Sequence, residues 1–292
     1  MPESNEMSVL LVGASGRVGR MVQYHWRADG TSGIAVVKQH RRDAPPGGLQ
    51  WSPLDGAAAL VDHVRLNGPI DAMIMLAGVT PGSGKDLELN SALALACVAA
   101  AQQAQIGRVL LASSSAVYGA GDGTPLAESA LTEPVNAYGK AKCAMEVAVA
   151  PWRDRGLDLC CLRIGNVAGA DALLRNVARL SPQDPVIIDR FADGHGPTRS
   201  YIGAGTLAAV LRTLAAQAAP LPPVLNIGAP APVSMEALAH AAGQPCRFRP
   251  APPQAHQHIT LDCTALAHLY PFTADDSDPH EMVAQWRDAV SV

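Results

Sequence analysis

Residues with proton-moving chemistry cluster in the middle of the chain: the run Ser113, Ser114, Ser115, then Tyr138 and Lys142. Tyr138 and Lys142 are four apart, and their neighbours Ala137, Ala141, Ala144, Met145 and Glu146 favour helix. Residues at i and i+4 share one helix face, which brings the ammonium beside the phenol. A free phenol titrates near ~10 and is a weak base at neutral pH. A neighbouring cation stabilises phenolate and is expected to bring that value down. A serine hydroxyl at the end of a neighbouring strand would hydrogen-bond a substrate oxygen. Together the three residue types read as a proton-transfer site for an alcohol or a ketone. Tyr-x-x-x-Lys also recurs as an ordinary surface pair, so the reading depends on the elements around it.

Residues 109–112 are a short apolar run, read as the buried strand that delivers the serines. The helix carrying Tyr138 and Lys142 is predicted to run to about residue 155. At the start of the chain, residues 8–12 (SVLLV) suit a parallel sheet buried on both faces. They run into Gly13, Gly16 and Gly19, and then a helix over 20–27. Strand, glycine turn and helix let backbone N–H groups and a helix N-terminus approach a diphosphate. The spacing is G-x-x-G-x-x-G rather than G-x-G-x-x-G; its place between a first strand and a first helix is what points to a dinucleotide.

The second strand, 34–37, is followed by Lys38, Gln39, His40, Arg41 and Arg42, with no carboxylate before Asp43. A free ribose 2′-hydroxyl would call for Asp or Glu there, whereas two arginines suit a 2′-phosphate. NADP(H) is therefore favoured over NAD(H); the plainer alternative is a solvated loop. Asp55, ahead of a helix over 57–64, is placed near the adenine. A strand over 70–76 ends in Leu76, Ala77 and Gly78, small enough for a ribose to pack on the backbone. Residues 80–85 form a loop where ligands bind in such sheets. A long Ala/Leu helix over 86–105 lacks a polar face, which points to burial on more than one side, against a partner subunit or inside one chain. Asn90 in its first turns either anchors a backbone group or a water, or faces solvent.

Further on, strands are predicted at 157–163, 186–188, 222–228 and 258–261, and helices at 171–180, 204–218, 235–242 (capped by Ser234), 264–269 and 279–290. The rhythm gives an α/β fold, a doubly wound parallel sheet (Rossmann) with a small C-terminal substrate lobe. The expected division is a dinucleotide-binding core over 7–165, rejoined by 201–228, and a lobe from 166–200 and 229–292. His195, His240, His256 and His258 have no metal-ligand spacing, so no metal is expected; each reads as a loop or surface histidine, with a substrate-facing role as the alternative for His195.

Composition narrows the setting. Among 292 residues, 48% are hydrophobic and 16% charged, enough for a large core. Aromatic content is 4%, net charge is −4 and no basic run appears, which argues against nucleic acid and anionic membranes as partners. The 6 cysteines form no C-x-x-C and read as reduced thiols of a cytoplasmic protein. The start, MPESNEMS, has no export-signal pattern, and no apolar run approaches the ~20 residues of a membrane span.

On these residues the chain resembles the extended short-chain dehydrogenase/reductase family, the NAD-dependent epimerases and dehydratases typified by UDP-glucose 4-epimerase. The resemblance is carried by GASGRVG at 13–19, Leu76-Ala77-Gly78, the segment 90–119, Tyr138-x-x-x-Lys142, LRIGNVAG at 162–169, LNIGAP at 225–230 and LDCTAL at 261–266. It implies that Tyr138 is the general acid/base and that Lys142 lowers its pKa and binds the nicotinamide ribose. The catalytic Ser or Thr, four residues before the Tyr of V-Y-G, falls on Ser114, between Ser113 and Ser115. Gly13, Ser15, Gly16, Arg17, Val18 and Gly19 would cradle the diphosphate, with Leu76, Ala77 and Gly78 along the ribose. Ile164 and Asn166 would approach the nicotinamide. The family's long helices, here 86–105 and 138–155, commonly form a homodimer interface. The implied activity is hydride transfer at a carbinol or carbonyl carbon, by preference of a nucleotide-linked sugar. A simple carbonyl reductase or alcohol dehydrogenase is the nearest alternative. A dinucleotide-binding sensor without catalysis is the other, and the retained Tyr and Lys argue against it. The departures are the missing acid after the second strand, the lost aspartates in 199–205 and Ala170 in place of a proline.

Overall fold

The computed structural model describes residues 6–28 and 33–291, so residues 1–5, where the sequence showed no export signal, lie outside the described residues. The first half alternates as β1 (Met7–Val12), α1 (Arg17–Ala28), β2 (Ile34–His40), β3 (Leu49–Gln50), α2 (Ala58–Asn67), β4 (Ala72–Met75), α3 (Leu89–Gln103), β5 (Arg108–Ser114), α4 (Ala137–Val149) and β6 (Asp158–Ile164). Short pieces follow: β7 (Asn166–Val167), α5 (Ala172–Val177), β8 (Val186–Arg190), β9 (Thr198–Arg199) and β10 (Tyr201–Ile202). Then come α6 (Ala204–Ala216), β11 (Val224–Ile227), β12 (Val233–Ser234), α7 (Met235–Ala241), β13 (Cys246–Pro250), β14 (His258–Ile259), α8 (Thr264–Ala267) and α9 (Pro279–Val290).

Seven strands form one parallel sheet in the order β11-β6-β5-β4-β1-β2-β3. The chain winds outward from β1 in both directions, so the connections leave the carboxyl ends of β1 and β4 on opposite sides. That reversal opens the crevice in which such sheets bind ligands. Successive apolar side chains in β1 serve the two faces. Val9 and Leu11 join Trp26, Leu207 and Trp286 on one side, while Leu10 and Val12 join Leu60, Cys97 and Met145 on the other. The Trp26 indole N–H donates to the carbonyl of Ala208 at 2.8 Å, tying α1 to α6.

α9 closes the first of these layers. The Gln285 side-chain oxygen accepts from the backbone N–H groups of Gly205 (2.9 Å) and Thr206 (3.1 Å) at the start of α6, where no side-chain cap is present. Trp286 lies so close over Gly169 that a Cβ there would collide with the indole.

The sequence-predicted elements are present with shifted ends. α1 begins at Arg17 rather than 20, and β2 extends to His40. The helix predicted to reach about 155 passes into 3₁₀ turns over Ala150–Arg155, where Pro151 has no N–H to continue the α ladder. The sequence reading does not contain β3, β13 or the two-residue strands β7, β9, β10 and β12: β3 lies in a Gly/Pro-rich segment, β13 alternates with arginines, and the others are too short to leave a periodic pattern.

Candidate active site

A cleft of about 250 Å³ lies at the carboxyl ends of the central strands. Its walls are Val18 of α1, Leu76, Ala77, Gly78 and Thr80 after β4, Ser113 and Ser114 of β5, Tyr138 and Lys142 of α4, Ile164 and Asn166 from β6 and β7, and Asp171.

One end is the glycine turn. Gly13 has φ +89°, and a Cβ on it would lie 2.5 Å from the Ala77 nitrogen; a Cβ on Gly19 would strike the Gly13 carbonyl. The turn therefore packs backbone against backbone. The first turn of α1 carries no acidic residue, so its N-terminal dipole is left uncompensated. Both features fit the diphosphate of a dinucleotide. Gln39, at the end of β2, braces the turn: its Oε1 accepts from Gly13 N–H at 3.1 Å and its Nε2 donates to the Trp51 carbonyl at 2.5 Å.

The other end carries the titratable side chains. Asn136 caps α4 by accepting from Gly139 N–H at 2.8 Å, which orients Tyr138 in the first turn. Ser114 Oγ accepts from Ala116 N–H at 3.2 Å and is also hydrogen-bonded with the Tyr138 hydroxyl. Ser113 Oγ instead donates to Glu146 Oε1 at 2.5 Å. Lys142 is 3% exposed, and its Nζ donates to the Ala112 carbonyl at 2.7 Å. That nitrogen lies 6.0 Å from the centre of the Tyr138 ring.

Burial raises the Tyr138 phenol above its ordinary value, against the opposing hydrogen bond with Ser114. The lowering expected from Lys142 is not found. Its ammonium is held on the Ala112 carbonyl, and burial outweighs the i, i+4 proximity. Burial brings Lys142 itself down to about 8, with Cys161 and Glu146 opposing.

The sequence profile of the NAD dependent epimerase/dehydratase family matches residues 9–213. The chain belongs to that family. It is 35% identical over 176 residues to a UDP-glucose 4-epimerase of Azospirillum brasilense, which covers 56% of this chain and 50% of that protein. The chain thus spans about half the length of the curated relatives it matches. Among solved structures it resembles MoeE5 in complex with UDP-glucuronic acid and NAD, at TM-score 0.76 and 25% identity over 96% of this chain and 98% of that one. It also shares the fold of the NAD-bound UDP-glucose 4-epimerase of Stenotrophomonas maltophila, at TM-score 0.77 and 22% identity over 98% of each chain.

Within this family member, the remaining sequence-predicted residues fall in several places. Asn90 is fully buried and staples the strand-end loop: it accepts from Val79 N–H at 3.0 Å and donates to the Val79 and Leu87 carbonyls at 3.0 and 2.9 Å. Asp55 is exposed in a 3₁₀ turn and outside the cleft, because Pro53 rather than Asp55 is the residue that turn buries. Arg41 and Arg42 are exposed in the bend after β2, also outside the cleft. His195 is exposed in a turn whose N–H bonds Asp193, away from the cleft. Arg17 turns from the cleft into a neighbouring one.

Three residues were missed. Gln39 carries no charge and sits beside the more conspicuous Arg41 and Arg42, so its type gives no signal in sequence. Glu146 joins Ser113 to Arg163, which it pairs at 2.7 Å with both side chains under 10% exposed. Asp171 caps α5 through the Leu173 and Leu174 N–H groups and accepts from the Tyr201 hydroxyl at 3.2 Å, while its Oδ1 is buried without a partner. An Asp ahead of an apolar run was a legible cap signal. No group of three or more His, Cys, Asp or Glu among the described residues is placed to hold a metal, and none of their helices is long and apolar enough to cross a membrane.

Proposed function

We propose that the chain is a nicotinamide-dinucleotide enzyme that moves a hydride to or from a carbinol or carbonyl carbon of a nucleotide-linked sugar. The observation that carries this reading is Tyr138, hydrogen-bonded with Ser114 and backed by buried Lys142, in one cleft with the glycine turn. A bound nicotinamide supplies the hydride acceptor or donor at its C4 and, when oxidised, a positive charge. The glycine turn, Ser15, Val18 and the backbone N–H of Arg17, whose side chain turns into the neighbouring cleft, border the diphosphate, Leu76 to Gly78 the ribose, and Ile164 and Asn166 the reactive ring.

Tyr138 is the proton carrier. Burial keeps its phenol protonated at neutral pH, so it is ready to donate to an oxygen that gains charge as a ketone is reduced. Taking the proton in the reverse direction requires added positive charge near the phenol oxygen. Ser114 holds the reacting oxygen against Tyr138, and Lys142 reaches the ribose while contributing positive charge behind the ring. The lobe from 166–200 and 229–292 holds the rest of the substrate. An epimerase retains its cofactor without net turnover, whereas a reductase consumes NAD(P)H.

The end of β2 supports NADP(H), since Gln39 replaces an acid and Arg41 and Arg42 are exposed beyond it. The relatives whose structures name a cofactor hold NAD. Fluorescence titration with NADPH and NADH decides this: at least ~10-fold tighter NADPH, about 1.4 kcal/mol, supports the arginines as readers of a 2′-phosphate. Equal binding refutes it. A homodimer through α3 and α4 is proposed from their mutual packing and from exposed Val147; a monomer at micromolar concentration in sedimentation would refute it. The described cysteines are all unpaired, which supports a cytoplasmic setting.

The functional test incubates the protein with UDP-glucose and catalytic NAD or NADP, and follows sugar configuration by NMR and the reduced nicotinamide by absorbance. Interconversion without net reduction identifies the epimerase, and net oxidation identifies the dehydrogenase. A Tyr138→Phe variant as active as the parent would overturn the mechanism in either case.

A further inference from the structure

Beside the catalytic cleft, and sharing none of its lining residues, is a second cleft of about 290 Å³. Four arginines line it: Arg17 and Arg20 from the first turns of α1, and Arg175 and Arg179 from α5 and the turn after it. The spacings are i, i+3 and i, i+4, so each element turns one pair toward the other. The floor is apolar, from buried Met21 and Trp286, with Val290 exposed at the rim.

The charge is uncompensated. No Asp or Glu lines the cleft, and none of the four arginines forms an ion pair among the described residues. Among the described residues, the Arg20 guanidinium donates to the Ser15 carbonyl, at 2.7 Å. This stands against a chain whose net charge is −4. Partial burial first, and then the charges of Arg175, Arg20 and Arg179, press the Arg17 guanidinium below its ordinary value. Four like charges gathered over an apolar floor repel one another, and an anion removes that repulsion.

We propose that this cleft is a second anion site, taking a small ligand with two linked phosphate groups, separate from the dinucleotide. Two facing pairs suit two phosphates, one pair for each, because a guanidinium fork matches phosphate oxygens in bidentate fashion. The apolar floor accepts the carbon skeleton that such a ligand carries. Arg17 heads the helix whose N-terminus faces the dinucleotide crevice, so occupancy of the second cleft is positioned to alter dinucleotide affinity.

The test is calorimetric titration of the full chain, saturated with dinucleotide, with inorganic diphosphate and separately with orthophosphate. The expected result is stoichiometric diphosphate binding that is tighter than orthophosphate binding and weakens with salt. Arg175→Gln/Arg179→Gln is expected to weaken it at least ~10-fold without changing dinucleotide affinity measured in the absence of diphosphate. Arg175→Lys/Arg179→Lys, which keeps the charge, should restore part of the loss. A folding failure in the double variant would show in its melting curve, and the exposed single change Arg179→Gln then carries the test. Absence of diphosphate binding at millimolar concentration, equal binding by the Gln variants, or displacement of the dinucleotide by diphosphate would each overturn the proposal. The last outcome would assign the arginines to the cofactor site.

Discussion

Replacing Lys142 by Met is expected to stabilise the cofactor-free protein while removing its activity. Lys142 titrates at about 8 in the fold against an ordinary value of 10.5. At ~1.4 kcal/mol per tenfold change in proton affinity, that depression is a charging penalty of about 3 kcal/mol at neutral pH. Met has a similar length and carries no charge into the same pocket. Against the gain, the Ala112 carbonyl loses its 2.7 Å donor, at a cost of roughly 1–3 kcal/mol. The net is a gain on the order of 1 kcal/mol near pH 7.

The sign with pH follows from the depressed value. Below about 8 the folded and unfolded chains both carry the proton, and the penalty is complete. Between about 8 and 10.5 the folded state has released the proton and the unfolded state has not, so parental stability rises with pH. The advantage of the Met variant therefore shrinks through that window and is gone above it. Urea denaturation followed by circular dichroism at about pH 7 and again near pH 10 measures both ends. A variant more than ~1 kcal/mol weaker than the parent at neutral pH, or a gap that does not change with pH, would show that burial does not penalise Lys142.

Tyr138→Phe should leave the fold intact and reduce turnover by roughly 10²–10⁴, the usual worth of a positioned proton donor, as read from steady-state kinetics. Glu146→Ala strands the Arg163 guanidinium and removes the acceptor of Ser113, so a loss of about 3–5 kcal/mol is expected in chemical denaturation; a loss under ~1 kcal/mol would mean that water takes its place. Gly13→Ala places a Cβ 2.5 Å from the Ala77 nitrogen at φ +89°. Abolished dinucleotide binding with a lowered melting temperature is expected, and unchanged affinity would mean that the turn relaxes at no cost.

Much of this was legible where the signal is local. The SVLLV run, the glycine turn and the Tyr138/Lys142 spacing each specify their own geometry within a few residues. What separates Ser113 from Ser114 is their partners on α4: Glu146 takes the first and Tyr138 the second, which sequence order alone does not show. Contacts that join distant segments stayed hidden. Nothing near Arg17 in sequence announces Arg175 and Arg179, and the Gln39 bridge depends on a two-residue strand in a stretch that reads as loop. The sign of the Tyr138 shift failed for another reason: spacing counts charges, while burial decided the direction.

The Gln285 and Trp286 contacts bear on the order in which the protein can be completed during synthesis. The glycine turn, β1, β5 and the Tyr138 helix emerge from the ribosome long before residue 285. Until it appears, the first N–H groups of α6 lack their side-chain acceptor and the hollow over Gly169 stays open. Both gaps lie on the layer that covers β1 and closes behind the crevice. Ribosome-bound chains stopped at about residue 270 should therefore be protease-sensitive at α6, and chains extended past 291 should not be. The candidate catalytic residues are made early, and the segment that locks them in place is made late.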